Sequence, residues 1–153
     1  MSWRRRWPAG RPGTITITTT EPLRDKTLSV ESSWEGGYRC TVSTRQFRIR
    51  IDEPESAGGG DTGPQPSEVF LASLAGCFTL ALYHVAKKRS IELPDISVTA
   101  TGTYEGPGFA HLAIEVRSSA ASEVMEPLIE PAKRVCYVSN TLRNVSDVDV
   151  TLV

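Results

Sequence analysis

Apolar and polar positions alternate with a period of two through much of the first half of the chain. Ile15 and Ile17 alternate with threonines, Tyr38, Cys40 and Val42 with Arg39 and Thr41, and Phe47, Ile49 and Ile51 with Arg48 and Arg50. A strand points successive side chains to opposite faces, so this alternation predicts strands with one apolar face. The pattern predicts strands near 27–34, 38–43 and 46–52, with Gly36-Gly37 as the turn between the first two. Together they read as a meander.

The character changes at 53–66. Pro54, Gly58, Gly59, Gly60, Gly63, Pro64 and Pro66 rule out a regular element there. A helix is expected next, with Pro66 in its first turn, where a missing N–H costs nothing, and Glu68 beside the positive end of the dipole. It should run to about Arg89 and end on Lys87-Lys88-Arg89. Its stretch Val69 to Ala86 is apolar almost all round, which predicts a deeply buried helix that a single small domain cannot fully wrap. A second subunit covering one side is the expectation. Ser73, Gly76, Thr79, Tyr83 and His84 interrupt the stretch and argue against a membrane span.

Alternation returns at Val98 to Tyr104 and at Leu112, Ile114 and Val116, around a turn at Gly106-Pro107-Gly108. Residues 122–143 read as helical, divided by Pro127 and Pro131 into two pieces. Val148, Val150 and Leu152 predict a closing strand. The fold class is therefore α+β with largely antiparallel sheet. At 153 residues the chain is one domain, 14–153, preceded by a flexible basic tail over 1–13 that carries Arg4, Arg5, Arg6 and Arg11. The Pro- and Gly-rich segment after those arginines is unlike a signal peptide.

Composition narrows the function. With 17 basic and 18 acidic residues, the net charge of −1 gives no general basis for coating nucleic acid or an anionic membrane. Three cysteines, Cys40, Cys77 and Cys136, are too few and odd in number for a secreted disulfide scaffold, and point to a reducing, cytoplasmic setting. Gly58 to Gly63 matches G-x-G-x-x-G, but the prolines delay the helix and no acid stands about 20 residues on, so no nucleotide cofactor is expected. Scattered Cys40, Cys77, Cys136, His84 and His111 lack the clustering a metal site needs, and no metal is expected. His84 lies two turns beyond Cys77, too far along the axis for a direct Cys–His bond.

Cys40 shares a strand face with Tyr38 and Val42 and reads as a packing residue. Cys77 follows the small residues Ala72, Ser73, Ala75 and Gly76, and Cys136 lies in a second helical segment, so two thiols on two helices can meet. Burial alone makes a thiol inert. A reactive Cys77 then needs a cation, for which Arg48 and Arg50 on the preceding strand, from its own subunit or a partner, are the candidates, ahead of Arg39 and Arg45.

Two segments, Gly63-Pro64-Gln65-Pro66-Ser67-Glu68-Val69-Phe70-Leu71-Ala72-Ser73-Leu74-Ala75-Gly76-Cys77 and Cys136-Tyr137-Val138-Ser139-Asn140-Thr141-Leu142, resemble the OsmC/Ohr family. The resemblance implies an OsmC-like fold, with mostly antiparallel sheets wrapped around central helices in an intertwined homodimer. It implies a cofactor-free, thiol-dependent peroxidase for organic hydroperoxides, with Cys77 as the peroxidatic and Cys136 as the resolving cysteine, recycled by an external dithiol. The founding peroxidases carry a glutamate directly after the helix-start proline, paired with a catalytic arginine. This chain has Ser67 there and Glu68 one residue later, about 100° around a helix. An OsmC-like binding or stress-associated protein without efficient peroxidase activity is therefore the alternative reading.

Overall fold

In the computed structural model, residues 27–143 and 148–152 are described. The strand proposed around Ile15 and Ile17 and the basic tail lie outside them. Strands β1 (Glu31–Gly36), β2 (Arg39–Thr44) and β3 (Phe47–Ile51) form an antiparallel meander in the order β1-β2-β3. Gly36 and Gly37 turn the first hairpin at φ of 108° and 57°, in the region that side chains disfavour. The pairing aligns Trp34 with Cys40 and Ile51, and Ser32 with Val42 and Ile49. One face of the sheet is thus apolar, and the other carries Arg48 beside Ser43 and Arg50 beside Thr41.

The segment after β3 is a loop, as its composition predicts, but a built one. Asp52 is buried at its root and accepts four hydrogen bonds. They come from the backbone N–H groups of Glu53 (2.9 Å), Gly60 (3.2 Å) and Thr62 (3.2 Å) and from the Thr62 hydroxyl (2.7 Å). Gly59 passes so close to Glu53 that a Cβ there would sit 1.9 Å from the Glu53 carbonyl oxygen. One carboxylate therefore gathers the glycines and prolines into a fixed shape.

Helix α1 (Pro66–Lys88) follows, with Pro66 at its first position. The Gln65 N–H donates to Glu68 Oε2 at 2.9 Å, so Glu68 caps the helix. The helix presents two faces. Leu74, Phe78, Ala81, Leu82, Val85 and Ala86 are buried, whereas Leu80 and Tyr83 are 68% and 54% exposed. The expectation of burial all round thus holds on one side within the single chain. That one chain leaves one side uncovered is as expected; which side is not legible from the sequence, because both faces are apolar.

Strands β4 (Ser97–Glu105) and β5 (Gly108–Arg117) form a two-stranded antiparallel hairpin against α1. Helix α2 (Ser122–Val135) packs across the other side of the buried face, with Met125, Leu128, Ala132 and Cys136 completing the core. It runs unbroken through both Pro127 and Pro131, contrary to the expected division there. The chain breaks instead at Cys136, whose ψ of 105° is extended, before the short helix α3 (Tyr137–Arg143). Pro131 is tolerated because the acceptor it leaves free, the Pro127 carbonyl, receives Arg89 Nη1–H at 2.9 Å. The closing strand is also corrected. Residues 148–152 have no strand partner among the described residues, and Val148, Val150 and Leu152 are exposed. Their alternating pattern is right for a strand, but a strand forms only against an edge that accepts it.

Candidate active site

The two helical cysteines meet. Cys77 projects from the middle of α1, and Cys136 sits at the break between α2 and α3, where the chain turns back toward α1. Their thiols are within hydrogen-bonding reach of each other. Cys136 is fully buried and Cys77 partly so. No disulfide joins them.

The break at Cys136 determines the surroundings. The chain restarts as α3 with its first N–H groups unpaired inside the helix, and these turn toward the sulfur atoms. The Tyr137 and Val138 N–H groups face Cys77, and the Ser139 N–H and hydroxyl face Cys136. Asn140 fastens the arrangement by donating Nδ2–H to the Arg134 carbonyl at 2.9 Å, while Arg143 Nη2–H donates to the Asn140 side-chain oxygen at 2.8 Å.

The two thiols differ in acidity. Burial pushes Cys77 up and, despite the Val138 and Tyr137 N–H groups, its pKa stays above that of an ordinary thiol, raised further by the hydrogen bond to Cys136. Burial acts against the Cys136 thiolate too. There the Ser139 hydroxyl and N–H, the Cys77 thiol and the Val138 N–H outweigh it, and the pKa lies below the ordinary value. Of the two, Cys136 is the thiol that gives up its proton more readily.

Cys77 opens onto a cleft of about 570 Å³ walled by Leu80, Ala81, His84, Arg134, Val135, Tyr137 and Asn140. On the other side, Ser139 borders an apolar cleft of about 440 Å³ lined by Leu74, Phe78, Leu112, Ile114 and Leu142, with Lys133 and Arg143 at its edge. The pair is thus flanked by two openings, one beside each cysteine.

The other residues singled out from sequence are elsewhere. Arg48 and Arg50 line a separate cleft on the polar face of the meander with Glu35, Thr41 and Thr62. Within the single chain they are directed elsewhere, because Arg48 and Arg50 alternate with Phe47, Ile49 and Ile51 and so point away from the apolar face. Glu68 is nine residues before Cys77, about 13 Å along the helix, and is occupied as a cap. The nitrogen-bearing side chains that do wall the Cys77 cleft, Arg134 and His84, were not chosen from sequence for that role. His84 is two turns beyond Cys77 but borders the same open space. Ser139 was likewise missed, although its spacing three residues after Cys136 puts it on the same side of a helical turn. No group of three potential metal-binding side chains occurs among the described residues.

With two facing cysteines and these helices in place, comparison with known families becomes decisive. The profile of the family described as OsmC-like protein matches residues 58–151, from the end of the Asp52-held loop to the C-terminal segment. The chain belongs to the OsmC-like family.

This OsmC-like chain is 29% identical over 120 residues to the organic hydroperoxide resistance protein of Xanthomonas axonopodis pv. citri, covering 74% of this chain and 84% of that protein. Its fold is similar to that of a putative organic hydroperoxide resistance protein from Vibrio cholerae, solved with captopril bound in one of the active sites. The TM-score is 0.64 at 27% identity, with 80% of this chain and 90% of that chain covered. A Legionella pneumophila organic hydroperoxide resistance protein OsmC is similar at a TM-score of 0.63 and 26% identity, over 78% and 92% of the two chains. The α+β architecture of hairpins around a long helix is thus that of the OsmC-like fold.

Proposed function

We propose that this OsmC-like protein is a thiol-dependent peroxidase for organic hydroperoxides. The observation that carries this reading is the Cys77–Cys136 pair: two free thiols in mutual reach, with the half-buried one at the floor of a cleft. The organic hydroperoxide resistance proteins among its relatives support the substrate class.

The chemistry runs as follows. The Cys77 sulfur, as thiolate, attacks the terminal oxygen of R–O–O–H and the O–O bond breaks. Cys77 becomes a sulfenic acid, and the departing alkoxide takes up a proton to leave as the alcohol. Cys136 then displaces hydroxide from the Cys77 sulfur, forming the disulfide and, with its proton, water. An external dithiol reduces that disulfide and is itself oxidised to a disulfide. In the resting pair the thiolate first forms on Cys136, and transfer of the Cys77 proton across the hydrogen bond makes the attacking sulfur. No cofactor or metal takes part.

A homodimer completes this reading. The exposed Leu80 and Tyr83 face of α1 and the Trp34, Phe47 and Ile49 face of the meander are apolar surfaces without cover in one chain. Packing of one chain's meander on its partner's helix removes both from water. The reducing state that two free thiols require fits the cytoplasm.

A binding role without efficient turnover has one observation in its favour. Within one chain neither Arg48, Arg50 nor Glu68 stands beside Cys77, so a single chain does not supply the expected cation and carboxylate from those positions. The deciding experiment follows consumption of cumene hydroperoxide with a dithiol reductant in the wild type, Cys77→Ser and Cys136→Ser. Turnover in the wild type and its loss in Cys77→Ser supports the peroxidase. Absence of turnover in the wild type, or an unchanged rate in Cys77→Ser, overturns it.

A further inference from the structure

The cleft above Cys77 continues into a second one of about 380 Å³ between α1 and α2. The two share His84, Arg134 and Val135. The second is walled by Lys88, Arg89 and Pro131 as well, and among the described residues no acidic side chain lines either space. Along this path the lining changes from Leu80, Ala81 and Val135 near the thiol to cations farther away. Helix geometry gives the scale: Lys88 is eleven residues past Cys77, about 16 Å along the axis. Glu130, whose carboxylate Arg134 also influences, is taken up by its ion pair with Lys133. Arg89 keeps its charge while one of its N–H groups holds the Pro127 carbonyl.

We propose that this basic cleft, formed by His84, Lys88, Arg89 and Arg134, is a subsite for a carboxylate carried at the far end of the molecule that reacts at Cys77. The matching ligand is amphipathic: a reactive head at the sulfur, an apolar stem past Leu80 and Val135, and a carboxylate among the cations. Cations around a partly enclosed cleft attract such an anion and orient it, and Arg134 offers the planar fork that suits a carboxylate. Either of two reactants fits this chemistry, the hydroperoxide or the reducing dithiol. Its turnover tests rest on the peroxidase reading, whereas binding at the cleft does not.

The test therefore begins with a reagent that needs no turnover. The fully reduced protein is labelled with maleimidohexanoic acid or with its neutral amide, and the rate at Cys77 is read by mass spectrometry. The acid is expected to react about tenfold faster than the amide at low salt, with the preference shrinking as salt screens the cleft. The combined change Lys88→Gln and Arg134→Gln should bring the ratio of acid to amide rates to about one, with the circular dichroism spectrum unchanged. Equal rates for the two reagents in the wild type, or a preference that survives the double change, overturn the proposal. Turnover with a carboxylated hydroperoxide against its methyl ester, and with a carboxylated dithiol against its amide, then identifies the source. A KM preference for the acid in one arm assigns the subsite to that reactant. No preference in either arm of an active peroxidase overturns the role, and an inactive wild type with selective labelling removes the peroxidase reading alone.

Discussion

Cys77 and Cys136 hydrogen-bond to each other, yet the more deeply buried of the two is the more acidic. Burial disfavours both thiolates, so the difference lies in what faces each sulfur. Ser139 gives Cys136 a hydroxyl and an N–H, whereas Cys77 has backbone N–H groups alone and loses ground to the bond with Cys136.

Removing either partner should therefore move the other in a defined direction. Cys136→Ala takes away the group that raises Cys77, so the Cys77 pKa should fall. Cys77→Ala removes a donor from the Cys136 thiolate, so the Cys136 pKa should rise, and Ser139→Ala should raise it too. Thiolate absorbance against pH measures all three. Movement of Cys77 upward in Cys136→Ala would contradict the assignment. The signs also separate the two in folding. Cys136, depressed, contributes stability that is present above its unfolded value and lost as pH falls through its folded one. Cys77, raised, contributes stability that is present below its unfolded value and lost as pH rises through its folded one.

Asp52 makes a second pH-dependent prediction. The Thr62 hydroxyl holds its carboxyl below the ordinary value of 3.8, with the Thr62, Gly60 and Glu53 N–H groups adding to this against the opposing effect of burial. A depressed aspartate stabilises the fold fully above its unfolded pKa, and this is lost as pH falls through the folded one. The urea midpoint should accordingly drop in acid below pH 3.8 more steeply in the wild type than in Asp52→Asn. At neutral pH the variant should be the less stable, since an amide in place of the carboxylate sets a donor against N–H groups. Protease cleavage within 53–63 reports the loop directly and should be faster in Asp52→Asn.

Much of this arrangement can be read from the chain, and the failures have physical reasons. Period-two alternation located β2 to β5 because each of these strands has an apolar side, the Gly36-Gly37 turn placed β1 before them, and Pro66 marks where α1 begins. The meeting of the two cysteines follows from two helices crossing on a shared apolar face, which the pattern suggests without stating the register. Within the single chain, Arg48 and Arg50 stand apart from Cys77. Proximity in sequence to the loop made them attractive, but their own alternation with Phe47, Ile49 and Ile51 already sends them to the opposite face. The prolines of α2 and the residues 148–152 fail for a common reason. Whether a proline breaks a helix, or an alternating segment becomes a strand, depends on which distant group meets its backbone.

The exposed apolar surfaces lead to a prediction about assembly. If a second chain covers the Leu80 and Tyr83 face of α1, the wild type should elute as a dimer at micromolar concentration in size-exclusion chromatography with light scattering. Charged groups buried in such an interface without partners are costly, so the combined change Leu80→Glu and Tyr83→Glu should shift the protein to monomer. Cys40→Ser, on the apolar face of the meander, is a milder control and should leave the dimer intact. A wild type that is monomeric and well folded would show that these surfaces need no partner.

The Arg89–Pro127 contact gives the final prediction, because Pro131 is its cause. A helical residue four positions after Pro127 normally donates its N–H to the Pro127 carbonyl, and proline has none. Arg89 supplies the missing donor from the end of α1, tying the two helices where the core residues Val85 and Leu128 lie. Arg89→Met should therefore lower stability by about 1 kcal/mol, the net worth of one such hydrogen bond. Pro131→Ala restores an N–H within α2 and competes for the same acceptor, so in that background Arg89→Met should cost markedly less. Denaturant titration of the wild type, the two single variants and the double variant forms a cycle whose coupling energy measures the compensation. A coupling near zero would mean that the Pro127 carbonyl is adequately served by water and that packing alone carries α2 through its prolines. A clear coupling would instead make Arg89 the residue that allows Pro131 to stand in the helix delivering Cys136 to Cys77.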